Sequence, residues 1–169
     1  MNNRERLLEI LNDMAGIATI KKLECLPLYL AGGSACIVGN YLDRMTIDID
    51  ILDLEYPAKM GRLFNMLGQY DMLDLYVTSI ADGFKERAKL VKEVENIQVY
   101  ILSREDIIIT KLGRYNEKDK EDISKLVKNL DKKLINSLIE NVLSRKDFSE
   151  KVREHFALNV AQFRGDFDV

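Results

Sequence analysis

Two aspartates separated by one residue are the first feature of the sequence that could do chemistry. Asp48 and Asp50 lie in a stretch, residues 45–52, that alternates apolar and polar side chains. This alternation predicts a strand on which both carboxylates emerge from one face, about 6–7 Å apart. Their repulsion would be relieved by protonation, by a basic partner or by a divalent cation such as magnesium, which accepts one or two protein carboxylates. A solvated sheet edge, or a pair neutralised by lysines, explains the two residues at least as well.

A glycine pair lies upstream, where an apolar run ends. Residues 26–31 predict a strand, and Gly32, Gly33 and Ser34 follow it, with Ser34 predicted as the N-cap of a helix that reaches about residue 42. Glycines let the backbone approach a phosphate closely, and a helix N-terminus offers N–H groups and the positive end of the helix dipole. The alternative is a tight connection without a ligand. The spacing matches neither a Walker-type loop nor a dinucleotide-binding fingerprint.

A lysine in an apolar stretch is the third candidate. Lys111 stands beside Ile108 and Leu112 in a predicted helix, where an unpaired ammonium would be costly. Asp122, on the apolar face of the next predicted helix, is one candidate partner, and a bound phosphate is another. The sequence leaves both open: a structural tie between two helices, or contact with a substrate.

The elements that would hold these residues follow from periodicity and capping. Apolar residues at three-to-four residue spacing predict a helix over residues 3–23, and Pro57 predicts the first turn of another that ends near Gly68. Ser103, with Asp106 three residues later, predicts a helix start, and the pattern stays almost wholly helical to about residue 155. Further segments are predicted as strands at 72–77 and 97–102 and as a helix at 84–94.

These elements indicate an α+β fold, with a mixed β-sheet flanked by helices and a helical C-terminal part. Since no glycine-rich or proline-rich linker interrupts the chain, we expect a core over residues 1–103 and a helical part over 104–158 packed on it. A loosely ordered tail is expected over 159–169.

Composition limits the class of protein. The 169 residues are 47% hydrophobic and 31% charged, which fits one globular domain or a compact domain with a helical extension. No run approaches the roughly 18 apolar residues of a membrane span and no signal peptide is evident, so we expect a cytoplasmic protein. Cys25 and Cys36 lack a metal-ligand spacing, and buried reduced thiols are expected.

Charge is uneven along the chain. The net charge is −3, but residues 1–80 carry 7 basic and 11 acidic side chains, whereas residues 111–153 carry 12 basic and 8 acidic ones. If the acids of the first part hold cations, the basic part could face phosphates. Ordinary charge pairs on solvated helix faces explain the same distribution equally well.

The glycine motif and the acidic pair together resemble the signature of the nucleotidyltransferase superfamily. That signature is an apolar residue, Gly, then Gly or Ser, a spacer, and Asp-apolar-Asp-apolar. Ala31-Gly32-Gly33-Ser34 and Asp48-Ile49-Asp50-Ile51 match it, with a spacer of residues 35–47, or one residue longer, at the long end of the family's range. The approach Arg44-Met45-Thr46 and the block from Ser103 to Leu112, followed by Lys118-Asp119-Lys120-Glu121-Asp122-Ile123, resemble small nucleotidyltransferase-like proteins related to the AbiEii-type toxins. These motifs span roughly residues 28–126.

The resemblance implies a reaction and roles. It implies transfer of a nucleoside monophosphate from a nucleoside triphosphate to an acceptor hydroxyl, with Mg²⁺ or Mn²⁺ as the cofactor. Asp48 and Asp50 would bind the metal, with a third carboxylate on a neighbouring strand. The nucleotide would contact Gly32, Gly33, Ser34, Arg44, Thr46 and Lys111, with Asp119 and Asp122 in support.

Asp74 is the choice for the third carboxylate, because it is the acid within the alternating strand 73–77. Asp53, Glu55 and Asp71 are weaker alternatives, and an exposed strand residue without a role is another reading of Asp74. The resemblance would also bring an RNA or protein acceptor, and a cognate antitoxin, as partners. The rival interpretation is a nucleotide-binding or regulatory protein that keeps the fold without catalysis.

Overall fold

The computed structural model describes residues 3–169, which form an α+β fold as predicted. Its α-helices are α1 (Asn3–Ile20), α2 (Gly32–Val38), α3 (Gly61–Phe64), α4 (Phe84–Arg87), α5 (Arg104–Leu112), α6 (Glu117–Leu126), α7 (Lys132–Ser144) and α8 (Glu150–Phe167). Its strands are β1 (Leu28–Leu30), β2 (Ile49–Asp53), β3 (Tyr70–Asp74), β4 (Lys89–Leu90) and β5 (Val99–Ile101). Short 3₁₀ turns lie at Ala58–Met60, Asn65–Leu67 and Val127–Asn129.

The strands form one mixed five-stranded sheet in the order β3-β2-β1-β5-β4. The central strand β1 pairs antiparallel with β2, in the register Leu30 to Ile51, and parallel with β5. β4 adds an antiparallel edge to β5. Because β1 has a neighbour on each side and its three residues are buried, its C-terminal end is a fixed point for the turn that follows.

The chain forms two compact units. The first comprises the described residues up to Leu73 together with Ala88–Leu102, and the second comprises Asp74–Arg87 with Ser103–Val169. The first unit therefore holds the sheet, apart from the last residue of β3, and helices α1 to α3. The second unit holds α4 to α8. One division falls between Leu102 and Ser103, beside the predicted boundary at 103/104, but residues 74–87 group with the helices.

The core of the first unit is built on the predicted amphipathic helix. α1 buries Leu7, Leu11, Met14, Ala15 and Ala18, at spacings of three and four residues. These side chains lie on one stripe of the helix, and each fully buried leucine contributes on the order of 2 kcal/mol through the hydrophobic effect. Neither Cys25 nor Cys36 forms a disulfide, and Cys36 is buried as expected.

The second unit is held by helix caps and buried ion pairs. The predicted cap at Ser103 is confirmed: its side chain accepts a hydrogen bond from the Asp106 backbone N–H, and its hydroxyl donates to the Asp106 carboxylate at 2.6 Å. That buried carboxylate also accepts two hydrogen bonds from Arg87, at 2.9 and 2.8 Å. A bidentate, charge-assisted pair of this kind fixes the start of α5.

Several predicted strands and helices differ in extent from the observed ones. The helix predicted to reach about residue 42 ends at Val38, and the one predicted from Pro57 to Gly68 is α3 between two 3₁₀ turns. β2 begins at Ile49, not at residue 45, and its first ladder bond runs from the Ile49 N–H to Gln69 O. The predicted strand 72–77 ends at Asp74, where a turn follows. The predicted helix 84–94 is limited to α4, because Lys89 and Leu90 pair with β5 instead. For residues 89–90, pairing with a neighbouring strand prevailed over the local helical pattern.

Two further expectations are wrong. Ser34 is not the N-cap of α2, since the helix begins at Gly32 with Ala31 as its N-cap. The expected loose tail after residue 159 is instead part of α8, which ends at Phe167. Phe156, Val160 and Phe163 bury one face of this helix. Their four- and three-residue spacing is the signal in the sequence that the expectation overlooked.

None of the helices within residues 3–169 combines the length and apolar character that a membrane crossing requires.

Candidate functional site

The glycine turn, residues 31–34, brings the backbone against the carboxylate of Asp50. Gly32 has a φ of +51°, in the left-handed region, and a Cβ atom there would lie 2.0 Å from Asp50 Oδ2. The backbone N–H of Gly33 donates to the same Oδ2 at 3.0 Å. Only glycine at position 32 meets both requirements, positive φ and the close approach of a side chain. The glycine turn and the Asp50 carboxylate are therefore in direct contact in the fold.

Ser34 joins the turn to β2 from beneath. Its side chain is fully buried, its Oγ accepts from the Asp50 N–H at 3.1 Å, and it lies 3.0 Å from Ala31 O. The Ala31 N–H also donates to Asp50 O at 2.9 Å. These bonds fix the backbone that carries the Asp50 carboxylate. The Ser34 hydroxyl therefore has a role inside the fold, whereas the nucleotide contact predicted for Ser34 is through its backbone amide.

Arg44 and Thr46 reach the other side of the glycine turn. The Arg44 Nη2 atom and Thr46 Oγ1 lie 2.9 and 3.0 Å from the position that a Cβ atom on Gly33 would occupy. The segment is held by hydrogen bonds from Asn3 Nδ2 to Arg44 O, at 2.7 Å, and from Thr46 Oγ1 to Asp48 O, at 3.2 Å. Of the predicted site residues, Gly32 and Gly33 thus lie against Asp50, and Arg44 and Thr46 lie beside Gly33.

Asp48 does not share the strand with Asp50. It lies in a bend just before β2 and its side chain is exposed. The prediction that the two carboxylates project from one strand face is wrong in its premise, because β2 begins at Ile49. Asp48 nevertheless stays next to the site in sequence, and its backbone carbonyl is tied to Thr46.

The predicted third carboxylate has a local role at the end of β3. Asp74 is exposed, and its Oδ1 accepts from the Tyr76 N–H at 2.7 Å, which stabilises the turn after the strand. It belongs to the second compact unit, whereas Asp48 and Asp50 belong to the first. Asp53 accepts similarly from the Glu55 N–H at 2.9 Å. Across residues 3–169, no group of three or more His, Cys, Asp and Glu side chains is placed to hold a metal ion.

Lys111 is engaged within the second unit. Its side chain is 5% exposed, and its ammonium lies 2.8 Å from Asp122 Oδ2 and 3.2 Å from Asp119 Oδ1. Asp119 also accepts two hydrogen bonds from Arg114, at 3.1 and 3.2 Å. Of the two alternatives that the sequence leaves open, the observed contacts favour the tie between helices, here α5 and α6. Asp119, predicted only as a supporting residue, is at the centre of this tie.

Two surface cavities flank the segment that carries Arg44 and Thr46, and sequence reasoning missed both. One, of about 420 Å³, is lined by Arg4, Asp43 and Arg44 among others. The other, of about 350 Å³, includes Arg6, Thr46 and Ile47 in its lining. The α1 residues in both linings are about 40 positions in sequence from residues 42–47, which they face. No local motif predicts that these two segments lie together, because this depends on how α1 packs.

Comparison with known proteins gives one match. The family model described as "Nucleotidyltransferase of unknown function (DUF6036)" matches residues 5–166. No curated protein and no solved structure matches the chain significantly. The matched range covers both compact units and contains the whole of the gathered site around Asp50.

Proposed function

The chain belongs to a family of nucleotidyltransferases of unknown function, and from this premise we propose that it moves a nucleoside monophosphate from a nucleoside triphosphate to an acceptor hydroxyl. The proposed reaction uses Mg²⁺ or Mn²⁺. The phosphates lie at the glycine turn, and Asp50 is the principal carboxylate of the site.

The contact between Gly33 and Asp50 is the observation that carries this proposal. A backbone N–H and a carboxylate oxygen lie 3.0 Å apart where Gly32 leaves no room for a side chain. Backbone N–H groups at a glycine turn bind phosphate oxygens, and a carboxylate beside them can hold the cation that accompanies the phosphates. A positive φ is common in tight turns, but a carboxylate in contact with the turn is not needed for the connection itself.

The residues present fit a magnesium ion that arrives with its nucleotide. Magnesium usually takes one or two protein carboxylates and completes its octahedron with water and phosphate oxygens, so a cage of three protein acids is not required. Asp50, half-buried at the turn, and the exposed Asp48 two residues earlier would hold it. When bound, the metal supplies charge neutralisation on the transferred phosphoryl group.

The remaining roles are assigned by position. Arg44 and Thr46, beside Gly33, contact the triphosphate in this proposal, the guanidinium by charge and the hydroxyl by a hydrogen bond. Asp74 stays a prediction as the third carboxylate, with Asp53, Glu55 and Asp71 as alternatives. Lys111 is omitted from the nucleotide contacts because its ammonium is buried between two carboxylates.

A second candidate function is nucleotide binding without catalysis. Two observations favour it. The Asp74 carboxylate accepts a hydrogen bond within a local turn, and the described residues contain no group of three or more His, Cys, Asp and Glu side chains placed to hold a metal ion. The two candidates differ in whether a labelled product forms, not in whether a nucleotide binds.

The acceptor is a finer proposal that rests on the resemblance alone. A tRNA end, a protein hydroxyl and a small molecule are the acceptors we propose to test. The resemblance to AbiEii-type proteins adds a toxin-like role, in which modification of such an acceptor would arrest growth and a cognate antitoxin would oppose it.

Calorimetric titration with Mg²⁺ and each nucleoside triphosphate tests the binding step. We expect binding to the wild type, a loss of at least about tenfold in affinity for Asp50→Asn, from the lost charge on the metal, and no change for Asp13→Asn. Asp13 is an exposed acid on α1, so it controls for the loss of one negative charge. An absence of binding at millimolar nucleotide and metal would reject both candidate functions.

Transfer is tested separately, with triphosphates labelled at the α-phosphate and incubated with total tRNA and cell extract. Label in a macromolecule, absent for Asp50→Asn, supports the transferase. Binding without any labelled acceptor supports the second candidate.

A further inference from the structure

The smaller of the two cavities is lined in part by large apolar side chains. These include Leu7 and Ile10 of α1 together with Ile47 and Met66. Ile47 is 72% exposed and Met66 is 38% exposed. Large apolar side chains that line a concave surface and stay in contact with water are typical of a ligand pocket.

Polar side chains also line this cavity. Arg6 and Gln69 belong to its lining, and Arg6 is exposed on the first turns of α1. Apolar walls with a few polar groups at fixed positions are what a planar heterocycle requires, because its faces are apolar and its edges carry donors and acceptors. The Gln69 amide offers both a donor and an acceptor, and the Arg6 guanidinium offers donors.

Thr46 connects this cavity with the glycine turn. It lines the cavity, and its Oγ1 lies 3.0 Å from the position of a Cβ atom on Gly33. The cavity and the turn are therefore two parts of one surface of the first unit, with a single side chain between them. A ligand that has an anionic end and a flat apolar end could occupy both at once.

We propose that this cavity binds the base of the nucleotide whose phosphates lie at the glycine turn, with the ribose near Thr46. The inference rests on the proposed function and adds the location of the base. Its volume, about 350 Å³, lies at the small end of the range of ligand pockets, roughly 300–1,000 Å³. That size suits a nucleoside, and the aliphatic walls pack against its ring faces while Arg6 and Gln69 contact its edge.

Methionine NMR tests the position of the base directly. In protein labelled with ¹³C at the methionine methyl groups, an aromatic ring placed over Met66 shifts that methyl resonance. We expect the shift with Mg²⁺ and a nucleoside triphosphate, but not with Mg²⁺ and inorganic triphosphate, which lacks the base. Met45, 79% exposed on the same segment as Ile47 and absent from the cavity lining, is the internal control. The Met66 signal is assigned from the Met66→Leu spectrum.

Calorimetry with two matched variants gives a second readout. Ile47→Ser removes one wall of the cavity, and Met45→Ser makes a similar change two residues away, outside it. Both side chains are exposed, so neither change should prevent folding. We expect Ile47→Ser to weaken nucleoside triphosphate binding roughly five- to tenfold, because the base then buries less apolar surface, and to leave inorganic triphosphate binding unchanged. Met45→Ser should bind both ligands like the wild type.

The outcomes separate this inference from the function on which it rests. If the wild type binds nucleoside triphosphates but Met66 does not shift and Ile47→Ser binds normally, the base lies elsewhere and the inference is overturned, while the proposed function stands. Equal affinity for inorganic triphosphate and all four nucleoside triphosphates likewise overturns it. If the wild type binds no triphosphate at all, the proposed function fails first, and this inference fails with it.

Discussion

Gly32 combines a left-handed backbone with a carboxylate in direct contact. Either feature alone could be accommodated by another residue at some cost, but together they exclude any side chain. The conformation of the turn is therefore coupled to the position of the Asp50 carboxylate. Ser34 illustrates the same coupling from the other side, since its buried hydroxyl positions the backbone of Asp50.

Replacement of Gly32 tests this coupling. Gly32→Ala should lower the free energy of unfolding by at least about 1–2 kcal/mol from the positive φ, and it should displace Asp50 from the Gly33 N–H. Urea unfolding measures the first effect and calorimetric titration with magnesium and nucleoside triphosphate measures the second.

Gly16→Ala is the matched control for this substitution. Gly16 lies inside α1 with nothing within 4 Å of a Cβ atom, so alanine should raise the stability by up to about 1 kcal/mol. Nucleotide affinity should not change there. Unaltered nucleotide affinity in Gly32→Ala would show that the turn has no part in the site.

At the scale of elements, the sequence predicted which segments are helices and strands better than where they begin. The periodicity of α1, the cap at Ser103 and the strand before the glycines are local signals, and each is observed. The start of β2 is not local: residues 45–48 have a strand pattern, but the ladder bond to Gln69 begins at Ile49. The resemblance to the nucleotidyltransferase signature implies one site for the glycines and the acidic pair, but no feature of the sequence predicts the hydrogen bond from Gly33 to Asp50. The contact of Arg44 and Thr46 with Gly33 depends on long-range packing, which one sequence does not show.

The tie between α5 and α6 supports a prediction about stability. Lys111→Met would leave the buried carboxylates of Asp119 and Asp122 without their ammonium, and losing one partner of a buried pair costs about 3–5 kcal/mol. Arg114 still contacts Asp119, which reduces the loss. The midpoint of urea unfolding measures it, with Lys118→Met, an exposed lysine on α6, as the control.

Lys111→Met with Asp122→Asn distinguishes the tie from a substrate contact. Because the second substitution removes a buried carboxylate that has lost the Lys111 ammonium, the double variant should be more stable than Lys111→Met alone. Its nucleotide affinity should equal that of the wild type. A double variant that folds normally but loses nucleotide binding would indicate that Lys111 contacts the phosphates.

The connection between α7 and α8 gives a pH-dependent prediction. Hydrogen bonds from Arg145 hold the pKa of Asp147 below its ordinary value. A lowered pKa in the folded state stabilises the protein above the unfolded pKa, about 4, and that contribution is lost as the pH falls through the folded pKa. Asp147 is 47% exposed, so the contribution at pH 7 should stay below about 1 kcal/mol.

The measurement is the difference in unfolding free energy between the wild type and Asp147→Asn, recorded from pH 7 down to pH 3. The difference should shrink as the pH falls. Glu154→Gln, at an exposed position on α8, controls for the removal of an acid. A difference that grows on acidification would mean that folding does not lower the pKa of Asp147.

At the scale of the whole molecule, the candidate site and the buried ion pairs of Lys111 and Arg87 belong to different compact units. The glycine turn, Asp50, Arg44 and both cavities belong to the first unit, and the buried ion pairs of Lys111 and Arg87 belong to the second. The family match at residues 5–166 covers both units, so the helical unit is part of what the family shares. The predicted division near residue 103 came from the change to a helical pattern. The grouping of residues 74–87 with the helices had no counterpart in the sequence pattern.

Hydrogen exchange can show which unit responds to the nucleotide. A ligand that binds only the folded state raises the free energy of opening by an amount set by the ratio of its concentration to Kd. At a hundredfold excess over Kd this amount is about 2.7 kcal/mol. Since local openings of a protein are separate events, we expect magnesium and a nucleoside triphosphate to slow exchange most in peptides that cover the glycine turn and residues 44–50. Peptides from α7 should change least.

The Asp50→Asn variant is the control for this experiment, because it should lose the protection around the glycine turn while its exchange without ligand stays close to that of the wild type. The cavity adds a finer expectation: peptides from the start of α1, which carries Arg6 and Ile10, should be protected by nucleoside triphosphate and not by inorganic triphosphate. Protection confined to α5 and α6 would place the nucleotide in the second unit. That result would contradict the site at Asp50, since no residue of the glycine turn belongs to that unit.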